Sequence, residues 1–203
     1  MKTDFQVAVV GGGIVGTSVL YWLAKLGWTD TLLIERRELT SGSTWHAAGN
    51  TTYFGPYAEM TRLFAGSIRT YLQAEEESGQ SINFHQTGSL RVATTQRERE
   101  LFHGEAGIKT INNGPMCWTP DGLPLLGPIG KDAGLWLASG FNVGIGTGGG
   151  SAEFLAHWMV NGRPHFELPI VHADRFGNNM TRNAAIESIK ACYRQGYRLP
   201  EQI

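Results

Sequence analysis

Apolar and polar positions alternate along this chain in short blocks separated by glycine. Val7-Ala8-Val9-Val10 is a wholly apolar run of strand length, the pattern expected of a parallel strand covered on both faces. Three glycines follow. From Ile14 to Leu26 the apolar residues Val15, Val19, Leu23 and Leu26 then recur on one side of a helix, which Gly27 closes. Thr31-Leu32-Leu33-Ile34-Glu35 reads as a second buried strand. The chain therefore opens with a strand–helix–strand unit.

Beyond Pro56, the residues Met60, Phe64, Ile68 and Leu72 repeat at i, i+4 spacing in a longer helix that ends before Gly79. Ile82–Phe84 and Leu90–Ala93, on either side of Gly88, predict a small hairpin, and Gln96–Glu105 predicts a short surface helix. Met116–Trp118 is strand-like, and Pro120-Asp121-Gly122 is turn chemistry. Leu135–Ala138 predicts another short strand. A helix beginning near Gly148 then carries Phe154, Leu155, Trp158 and Met159 until Gly162 and Pro164 stop it. From about Asp174 the sequence is polar, weakly patterned and expected to stay outside the core. It contains no internal repeat.

Composition sharpens this picture at one point. The chain has 27 glycines, gathered at Gly11–Gly16 and Gly140–Gly150. Clustered glycine means backbone in close approach, and two clusters invite one large ligand held at both. An apolar share of 41% and a net charge of -1 describe a globular protein without the basic excess of a nucleic-acid binder. No apolar run reaches the roughly eighteen residues of a membrane span. Met1–Phe5 leads straight into the first strand, so no signal or transit peptide is expected. Cys117 and Cys192 are too few for a disulfide framework or a cysteine-rich metal site, which predicts a cytoplasmic setting.

Gly11-Gly12-Gly13-Ile14-Val15-Gly16 fits G-x-G-x-x-G between a strand and a helix. There the first glycine permits the tight turn, the second lets backbone meet a pyrophosphate, and the third lets helix and strand pack closely. The helix N-terminus offers free N–H groups to the phosphates. Glu35, ending the second strand, is placed to accept hydrogen bonds from ribose hydroxyls and would repel a 2′-phosphate. This pattern selects a dinucleotide and disfavours NADP. It leaves FAD and NAD open.

The segment Ser41-Gly42-Ser43-Thr44-Trp45-His46-Ala47-Ala48-Gly49 closely resembles the stretch after the second strand in FAD-dependent amine oxidoreductases of the dimethylglycine and sarcosine dehydrogenase type. The resemblance implies a covalent bond between His46 and the 8α-methyl of FAD. It also sets Ile14, Val15, Glu35, Arg36, Gly42, Ser43, Thr44, Trp45, His46, Ala47, Ala48, Gly49 and Asn50 against the cofactor. A loop like Thr119–Pro128 lies near the flavin ring in the same family. Gly140, Phe141, Asn142, Val143, Gly144 and Ile145 resemble its closing turn, whose helix aims an N-terminus at the flavin. The implied fold is a Rossmann-like α/β FAD-binding fold of the glutathione-reductase and D-amino-acid-oxidase kind.

Two blocks carry this resemblance, 5–95 and 107–177, and they meet within Gln96–Ala106. The family's much longer middle stretch, with its substrate-covering sheet and a further strand of the nucleotide-binding sheet, has no counterpart here. The expected organisation is one internally truncated FAD-binding domain over 1–177 with a polar tail over 178–203. The folate-binding part that follows in the family has no counterpart before Ile203 either. The implied activity is hydride transfer from the N-methyl carbon of a small amine such as sarcosine or dimethylglycine to flavin N5, with an electron-transfer partner as acceptor. A catalytically inactive, truncated flavin-binding remnant is the alternative, and an NAD-dependent dehydrogenase is discouraged by Trp45-His46. No catalytic acid or base is assignable. His85 and His157 read as structural.

Overall fold

The computed structural model describes residues 2–52, 58–86, 116–130, 134–177 and 180–194. β1 (Val7–Val10) and β2 (Thr31–Ile34) pair in parallel, Val7 opposite Thr31 and Val10 opposite Ile34, and α1 (Ile14–Lys25) connects them. The long helix α2 (Ala58–Ser78) follows. β3 (Leu125–Pro128) and β4 (Trp136–Ser139) form an antiparallel pair that leads into α3 (Gly144–Asn161). A single 3-10 turn at Pro169–Val171 precedes α4 (Arg182–Arg194).

α3 lies between α1 and α2 and joins two cores. On one side Phe154 packs with Met60, Leu63 and Phe64 of α2 and with Leu126, Leu168 and Val171. On the other, Leu155 and Ala156 pack against Val19, Trp22 and Leu23 of α1. Helices α2 and α3 meet backbone to backbone. A Cβ on Gly150 would lie 2.0 Å from the Leu63 carbonyl oxygen, and one on Gly66 would lie 2.9 Å from the Gly150 Cα. The Gly150 N–H donates to Ser67 Oγ at 2.9 Å within this contact.

Several elements depart from their sequence patterns. β1 and β2 are not covered on both faces: Val7 and Val9 pack on the helices, whereas Val10 is 79% and Ile34 47% exposed. Among the described residues the parallel sheet has two strands, and the helical layer covers one of its faces. The buried face of α2 runs through Met60, Leu63, Phe64, Ser67, Ile68 and Tyr71, so Leu72 turns outward. Ile82–Phe84 forms no strand, because Asn83 adopts a left-handed φ of 55° that breaks an extended run. The hairpin's other arm, Leu90–Ala93, and the helix expected over Gln96–Glu105 lie outside the described residues. Met116–Trp118 is irregular. β3 was not foreseen, and α3 begins a turn earlier than Gly148, since α2 supplies contacts that glycine propensity does not. The polar segment after Asp174 contains α4, where Cys192 is buried and its Sγ donates to the Pro120 carbonyl at 3.2 Å. One buried side chain leaves little periodicity to read.

Near the C-terminus of α3 the rings of His157 and His165 stand 4.5 Å apart, with Phe154 and Phe166 against His165. Burial, then the positive fields of His157, Arg69 and Arg62, holds His165 down at about 4. Its folded pKa lies below its unfolded value of about 6.5, so the unfolded chain binds this proton more readily in that range. Stability is expected to fall as pH drops from about 6.5 towards 5, above the main carboxylate range. Thermal unfolding of His165→Gln should show a flatter decline over that window. An unchanged slope would remove His165 as the cause.

Candidate cofactor site

The site is built where β1 hands over to α1. Gly11 turns the chain with a φ of 108°, its N–H donating to the Ile34 carbonyl at 2.9 Å. Gly13 caps α1 with extended backbone and no side chain to satisfy the helix start. A Cβ on Gly16 would fall 1.9 Å from the Gly11 carbonyl oxygen, so the first turn of α1 rests directly on the end of the strand. The first-turn N–H groups of α1 have no partner inside the helix. One of them, Ile14 N–H, donates to Thr44 Oγ1 at 3.0 Å.

Glu35 sits above this turn. Its carboxylate accepts from the Gly12 N–H at 2.7 Å and from the Arg37 N–H at 2.8 Å. The Gly12 amide above all holds its carboxyl below the usual range, so it stands as an anion at neutral pH, where it suits hydroxyls and repels phosphate. Arg36 beside it is exposed. The segment after β2 folds back as successive tight turns, with Thr40 N–H on the Gly12 carbonyl, Trp45 N–H on Thr40, His46 N–H on Ser43 and Ala47 N–H on Thr44.

The second glycine cluster comes to the same place. A Cβ on Gly148 would lie 3.5 Å from Ile14 Cγ2 and 3.4 Å from Val15 Cγ2. Two turns further on, the Trp22 and His157 rings are 6.2 Å apart. α1 and α3 are thus parallel, with α3 beginning one turn ahead of α1. Neither has a side-chain N-cap bond or an acidic residue in its first turn. The start of α1, where Thr44 takes one N–H, and the start of α3 are both partly positive and fit the anionic groups of a dinucleotide such as its pyrophosphate.

Gly11, Gly13, Ile14, Val15, Gly16, Glu35 and Thr44 are gathered around the start of α1, and Phe141 to Ile145 lead into the start of α3. Gly140 seats that turn on Thr119, whose Cγ2 would lie 2.3 Å from a Cβ there. Gly42, Ser43, Ala47, Ala48, Gly49 and Asn50 are exposed, as is Trp45 at 78%. His46 Nδ1 lies 2.9 Å from the Gly42 carbonyl. A carbonyl only accepts, so Nδ1 carries the hydrogen and Nε2 the free lone pair of the neutral ring.

Sequence reasoning missed two residues here. Arg175 spends all five N–H donors on the Thr119–Pro124 loop and its own turn: two on Asp121 at 2.7 and 2.8 Å, the others on the carbonyls of Leu123, Pro124 and His172. Tyr71 donates to the Ile145 carbonyl at 2.6 Å. Neither has a local signature, because Asp121 for Arg175 and Ile145 for Tyr71 are more than fifty residues away in sequence.

Residues 6–115 match the family described as DAO, FAD dependent oxidoreductase, more than half of the 203 residues. The chain belongs to that family. Its fold is the FAD-binding, Rossmann-like α/β fold, for which β1–α1–β2 supplies the opening unit, and FAD is the family's cofactor. The chain is 50% identical over 101 residues to dimethylglycine dehydrogenase, mitochondrial, of Rattus norvegicus, covering 50% of this chain and 12% of that protein. It is 42% identical over 116 residues to 4-methylaminobutanoate oxidase (formaldehyde-forming) of Paenarthrobacter nicotinovorans, covering 54% and 14%. It is also 40% identical over 103 residues to sarcosine dehydrogenase, mitochondrial, of Homo sapiens, covering 50% and 11%. These matches span 11 to 14% of the relatives' lengths. Among the described residues no helix is long and apolar enough to cross a membrane.

Proposed function

We propose that this FAD-dependent oxidoreductase oxidises N-methylated amino acids of the dimethylglycine and sarcosine kind. The observation that carries the cofactor half is the packing of the glycine-rich first turns of α3 against the start of α1, through Gly148 on Ile14 and Val15. The substrate half rests on the relatives: dimethylglycine, sarcosine and 4-methylaminobutanoate are all amino acids bearing an N-methyl group. Bound FAD supplies the two-electron acceptor for the N-methyl carbon's hydride. In this reading Gly13 and Val15 hold the pyrophosphate, the start of α3 faces the flavin, and Glu35 accepts from the ribose. The Nε2 of His46 would be the nucleophile for a covalent bond to the 8α-methyl of FAD, with that methyl losing a proton and the flavin taking up the two electrons until an acceptor reoxidises it. An electron-transfer partner then takes the electrons.

A second reading, a flavin-binding remnant without turnover, is favoured by one observation. The parallel sheet leaves Val10 and Ile34 open, and among the described residues it carries no further strand. In either reading 1–177 forms one FAD-binding domain, with 178–203 an appended polar segment. We also assign the protein to the cytoplasm, since both cysteines are free thiols, whereas the names of two relatives place those proteins in mitochondria. Cell fractionation decides this point.

The cofactor test is the ligand released from purified protein reconstituted with FAD and NAD together. FAD is expected; NAD with no flavin would overturn the reading. After acid precipitation the flavin should stay with the protein and be freed in His46→Ala. Flavin still attached in that variant would remove His46 from the role. Dye reduction on adding sarcosine or dimethylglycine supports the enzyme, and a yellow protein without turnover supports the remnant.

A further inference from the structure

The first two turns of α3 read Gly-Ile-Gly-Thr-Gly-Gly-Gly, a sequence with little tendency to be helical. Each glycine costs about 1 kcal/mol relative to alanine in a helix interior. Something outside the segment must hold it. That support comes from a buried polar row on α2. Ser67 Oγ accepts from the Gly150 N–H at 2.9 Å. One turn along, the Tyr71 hydroxyl donates to the Ile145 carbonyl at 2.6 Å and accepts from the Gly149 N–H at 3.3 Å. The phenol is 9% exposed and lies 3.7 Å from where a Cβ on Gly148 would be, beside the contact with Ile14 and Val15. Burial also pushes its pKa up to about 12, so the hydroxyl keeps its proton and remains a donor.

We propose that Tyr71 is the positioning residue of the cofactor site, its hydroxyl fixing the glycine-rich start of α3 beside the first turn of α1 so that this helix end is ordered before the FAD arrives. The proposal rests on the FAD reading above. A filler role would need only the ring, and phenylalanine would serve. The hydroxyl is needed because it bonds two backbone groups of the segment that glycine leaves loose. A preorganised site binds more tightly because ordering is completed before the ligand arrives.

Tyr71→Phe keeps the ring and removes the hydroxyl. Two measurements test it: FAD affinity by flavin fluorescence titration, and amide hydrogen exchange of the unliganded protein. FAD affinity is expected to weaken about fivefold or more, the scale of one buried hydrogen bond, and exchange at Ile145–Gly149 to speed up while Phe154–Trp158 stays protected. Thr70→Val provides the comparison. It removes the buried bond from Trp22 Nε1 to Thr70 Oγ1, 3.0 Å long, in the last turn of α1, and should lower thermal stability without changing FAD affinity. Unchanged exchange at Ile145–Gly149 in Tyr71→Phe would overturn the proposal, as would equal losses of FAD affinity in the two variants. If the unsubstituted protein binds no FAD, the cofactor reading fails by itself, and the exchange comparison still decides whether Tyr71 orders α3.

Discussion

Gly150→Ala is expected to lower the unfolding temperature by roughly 6–12 °C. The added Cβ would lie 2.0 Å from the Leu63 carbonyl oxygen and under 3 Å from its backbone C and Cα. All three are backbone atoms of a helix, so no rotamer change relieves the clash, and α2 and α3 must move apart. Overpacking of this kind costs typically 1–3 kcal/mol, and a fixed backbone neighbour sets the upper end. About 3 kcal/mol corresponds to that shift for a chain of this length. Separation would also strain the Ser67–Gly150 bond and the apolar contact of Phe154 with Leu63. Thermal unfolding followed by circular dichroism checks it. A change within about 2 °C would mean the two helices do not cross at Gly150.

Gly16→Val should abolish FAD binding, with a loss of at least about a hundredfold in affinity. The new Cβ would stand 1.9 Å from the Gly11 carbonyl oxygen and 3.3 Å from Val9 Cγ1. Relief requires the first turn of α1 to lift off β1, which displaces Gly13, Ile14 and Val15 from the turn that Gly11 makes. Two effects combine, since the cradle for the pyrophosphate opens and α1 no longer presents its N–H groups beside α3. A hundredfold loss corresponds to about 2.7 kcal/mol, within what losing several charge-assisted bonds supplies. Flavin fluorescence titration measures the affinity, and a far-ultraviolet spectrum reports whether the helices persist. A folded Gly16→Val protein with undiminished FAD affinity would place the cofactor away from the glycine turn.

Much of the candidate site's geometry was legible along the chain because its parts are local. A tight turn after β1, a glycine cap on α1 and an acidic residue ending β2 lie within one strand–helix–strand unit. Their order in sequence is their order in space, so Gly11, Gly13, Gly16 and Glu35 could be read directly. The segment from Ser41 to Asn50 was legible through resemblance, and its fold over α1 through Thr40 and Thr44 follows from hydrogen bonds that periodicity cannot express.

What the sequence determined by itself was the short-range chemistry: apolar runs of strand length, helix ends marked by Gly27 and Gly162, and a dinucleotide fingerprint in its proper context. Tertiary structure decided how those pieces are used. It placed Gly148 against Ile14 and Val15, bringing two distant glycine clusters into contact. It began α3 at Gly144, where α2 supplies the order that glycine lacks, and it left Val10 and Ile34 uncovered although their runs read as buried strands. It joined Arg175 to Asp121 and Tyr71 to Ile145, pairs with no local pattern. The physical reason is the same in each case. Local sequence sets backbone preference and side-chain polarity within a few residues, whereas burial, close approach and hydrogen-bond partners depend on which segments the folded chain brings together.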